Sequence, residues 1–322
     1  MFKKCFLPGG MILAAVLSWL VPTLGIRLEA ACGTSVFILA IFIVCGFQTD
    51  FSECKFDRKL AGNFVFAGLF SMVLAPWCAV ALGRVCGFDV MTAAGLTVIL
   101  AMPPTLSSGI VMAVNAGGNG LAAMLFTVVY NLIGVFTLPW MLAWCLAGSG
   151  GIDSDPLKMF VKLLLLVILP FFAGCAVRRL SKRKLPRWAG YIPSTCVILL
   201  ALSFFSLAHD RMLEFPVRTL AVLGAVCLVL RLGLLLGLWY GGKLLGAERD
   251  VRTAMIFTSG SKTLTISLAT LAILGIGDGT AMISCIIFYF LQVFIDSVLS
   301  GKMAPTAQHK ADTAGKSPPG RK

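Results

Sequence analysis

Charge is scarce in this chain, and acidic charge is scarcest. Asp and Glu number 14 in 322 residues, charged residues of both signs make up 13%, and histidine occurs twice. A soluble domain carries about 25% charged residues, so an ordinary water-facing surface is excluded. Both histidines, His209 and His309, lie outside the apolar runs, and none of the 11 cysteines forms a CxxC pair. A zinc site or redox dithiol therefore lacks its spacing, and cysteine serves as a small apolar filler. HExxH, a Walker phosphate loop, paired aspartates at useful spacing and a Ser-His arrangement within the apolar runs are all missing. His209 beside Asp210 reads as a solvated loop pair. These absences leave an integral-membrane transferase or protease without a catalytic pattern.

Apolar runs are what the chain has: 58% of residues are hydrophobic. A membrane span needs about 20 residues. Ten spans account for the length, at about 6–24, 30–48, 60–85, 90–114, 121–146, 157–177, 188–208, 216–238, 252–274 and 280–299. Lys3 and Lys4 precede the first, with Pro8 near its first turn and Pro22 near its end; no clean small-residue site follows that would make it a cleaved leader. The fold expected is an all-α polytopic membrane protein, one domain over 1–300, with a disordered cytoplasmic tail over 301–322. Of 27 Lys and Arg, 19 fall on the N-terminal side of such a topology and six on the other. The positive-inside rule then puts both termini in the cytoplasm. The net charge of +13 belongs to these loops and gives no reason to expect nucleic acid as a partner. The partners expected are the lipid bilayer and a small organic solute. Glycines from Gly237 to Gly242 pack inside one chain or between chains, so oligomeric state stays open.

The longest uncharged run, Val90 to Ile152, spans 63 residues. In its first half stands Met102-Pro103-Pro104-Thr105-Leu106-Ser107-Ser108-Gly109. The prolines lack N–H groups and push the preceding residue out of helical geometry, so span four breaks near the midplane, leaving hydroxyls beside freed carbonyls. Such backbone is tolerated in a membrane only against protein or a water-filled cavity. A purely structural kink is the plain alternative. In the other half of the chain, Phe257-Thr258-Ser259-Gly260-Ser261-Lys262-Thr263-Leu264-Thr265 interrupts span nine. Lys262 lies ten residues beyond Arg252, about 15 Å along a helix, too deep for ordinary snorkelling; an intramembrane charge is expensive and marks function. Both breaks fall in the fourth span of a five-span half, about 6–147 and 157–300. An odd number of spans inverts the second half, the plan of many secondary transporters. This repeat is argued from position. Arg231, in span eight, serves an anionic solute or pairs within the bundle. Asp296, near the end of span ten, is expected to be interfacial. Gln48, Asn131 and Gln292 are single amides that can tie helices together.

The stretch Pro103 to Gly109, followed by Asn115-Ala116-Gly117-Gly118-Asn119, resembles the fourth-helix signature of the bile acid:sodium symporter family, closest to its bacterial YfeH-like branch. Ser261-Lys262-Thr263-Leu264-Thr265 resembles that branch's ninth helix. The resemblance covers about residues 6 to 300. It implies ten helices, with spans three to five and eight to ten as a core and spans one, two, six and seven as a panel. It also implies that broken spans four and nine cross at their centres, in a multi-pass protein of the bacterial cytoplasmic membrane. Sodium is the ion it implies, bound by Thr105, Ser107, Ser108 and, from span five, Thr127 or Asn131; no other cofactor is expected. The family's ninth-helix carboxylate and amide are missing here: Phe257 or a neighbour stands near the first, and Ser261-Lys262 near the second. The function expected is secondary transport of a small organic, anionic solute, coupled to sodium or protons. Pro103, Pro104, Thr105, Ser107, Ser108, Asn131, Arg231, Ser259, Ser261, Lys262 and Thr263 are expected to line the pathway. The Lys262 ammonium is expected to take oxygens of Thr105, Ser107 and Ser108, as a proton carrier or as a fixed substitute for one sodium. A non-transporting receptor on the same fold is the alternative, and a membrane transferase the more distant one.

Overall fold

The structure, a computed structural model, describes residues 2–48, 58–105, 108–146, 157–158, 161, 164–181, 186–207, 209, 216–274, 276 and 279–304. The expected tail beyond Ala304 and the expected loops at 49–57 and 147–156 lie outside the described residues. All regular structure described is helical. In chain order it comprises α1 Phe2–Leu20, α2 Pro22–Gln48, α3 Arg58–Gly68, a π turn Leu69–Leu74, α4 Ala75–Val85, α5 Val90–Ala101, α6 Ser108–Asn115 and α7 Gly120–Leu146. There follow a π turn Leu164–Ile168, α8 Leu169–Ser181, a 3₁₀ turn Arg187–Tyr191, α9 Ile192–Leu207, α10 Val217–Leu244, α11 Arg249–Thr258, α12 Leu264–Ile273 and α13 Gly279–Met303.

Among the described residues five helical stretches are long and apolar enough to cross a membrane: Pro22–Val44, Leu60–Val85, Leu164–Ser181, Val217–Leu244 and Thr280–Met303. The halves of α7 form a sixth, bent by 62°, with Pro139 inside the helix. Of the four expected spans outside this count, span one corresponds to α1, span seven is described over the 16 residues Ile192–Leu207, and the other two are broken. Expected spans four and nine are each divided, and α5, α6, α11 and α12 hold 12, 8, 10 and 10 residues; at 1.5 Å per residue none reaches about 30 Å alone. The first boundary also differs from expectation. Pro22 begins α2 and does not close α1, because proline's fixed φ and missing N–H suit the first helical position. α2 kinks at Gly33, whose φ is 69°, and Glu29 accepts from the Thr34 N–H and hydroxyl at 3.0 and 2.7 Å.

The helices pack in two groups. α2 lies against α8 and α9, and α1 against α9. In the other group α5 packs on α4 and α13, and α11 packs on α6, α7 and α10. Side chains such as Phe37, Ile41 and Phe42 of α2 join both groups in one apolar core with α5 and α9. Of the α10 glycines, Gly237 and Gly241 pack inside the chain: a Cβ on Gly237 would strike the Phe70 ring, and one on Gly241 the Phe66 ring.

Candidate functional site

Asp89 starts α5 by accepting from the Met91 and Thr92 N–H groups at 3.1 and 3.0 Å. The helix ends at Met102, whose ψ of 148° is extended, as a residue before proline must be. The chain re-enters helix at Ser108. Thr105 forms the joint: its Oγ1 accepts from the Gly109 N–H at 3.2 Å and from the Ser108 hydroxyl at 2.9 Å. Asn131 of α7 spans the gap, its Nδ2 donating to the Pro104 carbonyl at 2.9 Å and the Thr127 carbonyl at 2.8 Å. The Thr127 hydroxyl is buried without a partner among the described residues. Ser107 lies outside the described residues, and Ser108 and Asn131 are half-buried.

The second break is held more heavily. Thr258 and Ser261 return their hydroxyls to the Ala254 and Phe257 carbonyls, at 2.6 and 2.5 Å. Gln292 of α13 clamps the unwound backbone from both sides: it accepts from the Lys262 N–H at 2.7 Å and donates to the Lys262 carbonyl at 3.0 Å. Arg231 of α10 donates to the Gly260 carbonyl and pairs with Asp296 of α13. Ser261 lies 3.4 Å from the other Asp296 oxygen. Arg231 therefore takes the pairing alternative. Asp296 is 1% exposed, turned inward against Arg231, because burying Arg231 requires a counter-charge.

Lys262 is fully buried. Its ammonium does not take the expected hydroxyl oxygens of Thr105 and Ser108. It donates to two carbonyls, of Ser71 at 2.5 Å and Met102 at 3.1 Å. Each carbonyl is free for a local reason. In the π turn the Ala75 N–H goes to Phe70, and Pro76, the donor five residues beyond Ser71, has no N–H. The Met102 carbonyl is released where Pro103 ends α5. Among the described residues Lys262 has no carboxylate partner.

The two breaks meet. α6 packs on α11, while α12 packs on α5, so the broken helices run antiparallel. Asn119, at the far end of the first, donates its N–H to the Asp250 carbonyl at 3.0 Å, at the start of the second. Glycine permits the approach, since a Cβ on Gly109 would lie 2.6 Å from the Phe257 carbonyl oxygen. Pro103, Pro104, Thr105, Ser108, Ser259, Ser261, Lys262 and Thr263 thus gather at one crossing. Phe257, near the missing carboxylate position, is buried in the cluster with Phe126 and Tyr130. Sequence reasoning missed Ser71, whose contribution is main-chain, and underweighted Gln292. Pro76 inside an apolar run was the available signal. Beside the crossing, an apolar cavity of about 800 Å³ is lined by Phe64, Gly68, Met72, Ala101, Tyr130 and Trp144, among others.

Against this geometry, the profile of the SBF-like CPA transporter family matches residues 6–305. A probable sodium/metabolite cotransporter, BASS4, chloroplastic, of Arabidopsis thaliana is 28% identical, covering 91% of this chain and 71% of the relative. Sodium/bile acid cotransporter 7-A of Xenopus laevis is 25% identical over 90% of this chain and 89% of its own. An uncharacterized protein of Pseudomonas aeruginosa is 26% identical over 70% and 69%. With the match running through both breaks and nearly every helix, the chain belongs to the SBF-like CPA transporter family, among the bile acid:sodium symporters.

Proposed function

We propose that this protein is a secondary transporter that moves a small organic, anionic solute across a membrane by alternating access, with sodium as the coupling ion. The observation that carries the reading is the antiparallel crossing of two broken helices at their unwound centres, the usual construction of a midplane transport site. The names of the relatives, sodium/metabolite and sodium/bile acid cotransporters, supply the ion and the solute size. An anion suits the crossing for two reasons. α6 and α12 begin there, and helix N-termini favour negative charge. Lys262 and Arg231 also outnumber Asp296. Ser108, Asn131 and Thr263, each half-buried, are the residues proposed to meet solute, with Pro103, Pro104, Ser259 and Ser261 shaping the passage and Arg231 positioning Gly260. Thr105, Ser107, Ser108, Thr127 and Asn131 are proposed as sodium ligands; the unpartnered Thr127 hydroxyl supports that set.

The same reading arranges ten spans as two inverted repeats, about 6–147 and 157–300. Two features support it. Gly83-Arg84-Val85-Cys86-Gly87-Phe88-Asp89 leads into the first broken helix and Gly242-Lys243-Leu244-Leu245-Gly246-Ala247-Glu248 into the second. Both turns close alike: Phe88 N–H to Gly83 at 3.0 Å, Ala247 N–H to Gly242 at 2.8 Å, with Gly87 and Gly246 at φ 66° and 73°. Asn131 and Gln292 then clamp corresponding breaks from the helix that follows each. The basic asymmetry supports cytoplasmic termini; the YfeH-like branch and the bacterial inner membrane rest on the motifs at Pro103–Gly109 and Ser261–Thr265.

The test is a solute panel of organic carboxylates and sulfonates, screened by thermal stability in detergent, with each stabilising solute then offered to proteoliposomes under an inward sodium gradient. Sodium-driven accumulation is expected. Stabilisation without accumulation would make the protein a receptor and overturn the proposal.

A further inference from the structure

We propose that the Lys262 ammonium is a tethered cation occupying a main-chain carbonyl site that would otherwise hold a free monovalent cation, so that this transporter carries one fewer coupling ion through the crossing than the architecture can accommodate. The inference rests on reading the crossing as an ion-handling centre, but its test needs no solute and no transport.

Three observations carry it. First, the acceptors are two carbonyls on different elements, Ser71 of the π turn and Met102 of the first break, at 2.5 and 3.1 Å from one nitrogen. Carbonyls released by unwound or irregular helix are the groups that coordinate small cations in transporters. Second, both are released by proline chemistry. Pro76 withholds the N–H that would reach Ser71 in the π register, and Pro103 ends the helix at Met102. The site is thus built independently of the lysine. Third, the ammonium is fully buried with no carboxylate against it among the described residues. Asp296 is taken by Arg231. A buried cation held by carbonyl dipoles alone is a cation-site arrangement, where a structural lysine pairs with an acid. The Ser71 hydroxyl, buried and without a partner among the described residues, offers one more oxygen on the same turn.

The tether changes what moves. A free ion leaves when the crossing opens; an ammonium on the Lys262 stem stays with the second break. It links α12's entry to the π turn and the first break in the state described here, and carries no net charge across the membrane by itself.

Purified wild type, Lys262→Ala and Lys262→Met are compared by thermal unfolding in sodium chloride and in choline chloride at equal ionic strength. Shortening the side chain to a methyl opens the carbonyl site; methionine keeps most of its volume filled without a donor. The expected result is that Lys262→Ala gains a sodium dependence beyond wild type. At saturation its unfolding constant falls a further tenfold for each tenfold rise in sodium, the signature of one added bound ion. Lys262→Met does not gain it. A Lys262→Ala protein that folds in sodium but not in choline supports the proposal in its strongest form. Lys262→Ala that responds to sodium no more than wild type, or that is unfolded even in concentrated sodium chloride, overturns it. Absence of solute transport by the wild type, with the sodium gain present in Lys262→Ala, would count against the proposed function alone.

Discussion

The two breaks do the same geometric task with different chemistry. The first, Met102 to Ser108, contains no charge. It is made by two prolines and joined by the Thr105 hydroxyl and the Asn131 amide. The second, Ser259 to Thr263, is made by Gly260 and held by a buried arginine, aspartate, lysine and glutamine. Proline removes donors permanently, so the first break needs little to keep it open. Gly260 loosens the helix but residues 258–263 hold no proline and keep all their donors, so side chains from α10 and α13 occupy the freed backbone groups. The difference teaches which break is intrinsic and which is imposed by its neighbours. It also separates the ion chemistry: neutral oxygens at the first break suit a mobile cation, whereas the second brings its own.

That contrast can be broken most severely at Asp296. Asp296→Ala leaves the Arg231 guanidinium buried and unpaired, and a loss of about 3–5 kcal/mol is expected, read as a large fall in Tm in detergent. Arg231→Met combined with Asp296→Leu should recover most of it, since an apolar pair of similar volume replaces a buried ion pair at little cost. A double variant as unstable as the single one would show that Gly260 itself requires Arg231. Next in size is Gln292→Leu, which strips both the N–H and the carbonyl of Lys262 of their partners. At about 0.6–1.7 kcal/mol for each intramembrane hydrogen bond, it should cost more than Asn131→Leu at the intrinsic break, where proline has already removed the competing donors. Equal Tm losses for the two would erase the distinction drawn here. The smallest effect belongs to Pro76→Ala. It supplies an N–H for the Ser71 carbonyl, so stability should change by no more than about 1 kcal/mol. It should also lower the cost of Lys262→Ala, a non-additivity that a double-mutant cycle reads directly.

Much of this site could be read in the letters. Pro103-Pro104 announces its own break, and Lys262 is conspicuous because nothing else charged lies within ten residues of it except Arg252. What could not be read is direction. The sequence places Lys262 near Thr105 and Ser108, but its target is two carbonyls, and main-chain acceptors carry no residue type. The pairing of Asp296 went unread for a related reason: position along a helix measures depth, while burial depends on which face meets Arg231. Two of the expected spans escape the length rules because those rules assume unbroken helices, which α5–α6 and α11–α12 are not. The matching turns at Gly83–Asp89 and Gly242–Glu248 were visible but unread, since a shared glycine, basic residue and acid gain meaning only once both turns are seen to close alike.

The central claim is that the crossing handles both ion and solute, with the mobile ion at the first break. Its most direct test is sodium-driven accumulation of a stabilising solute in proteoliposomes, for wild type and for Thr105→Ala combined with Thr127→Ala, the double variant first shown to be folded by its Tm. The account predicts that wild type concentrates the solute only under an inward sodium gradient and that the double variant loses that dependence. Undiminished sodium-driven accumulation by the double variant would contradict it.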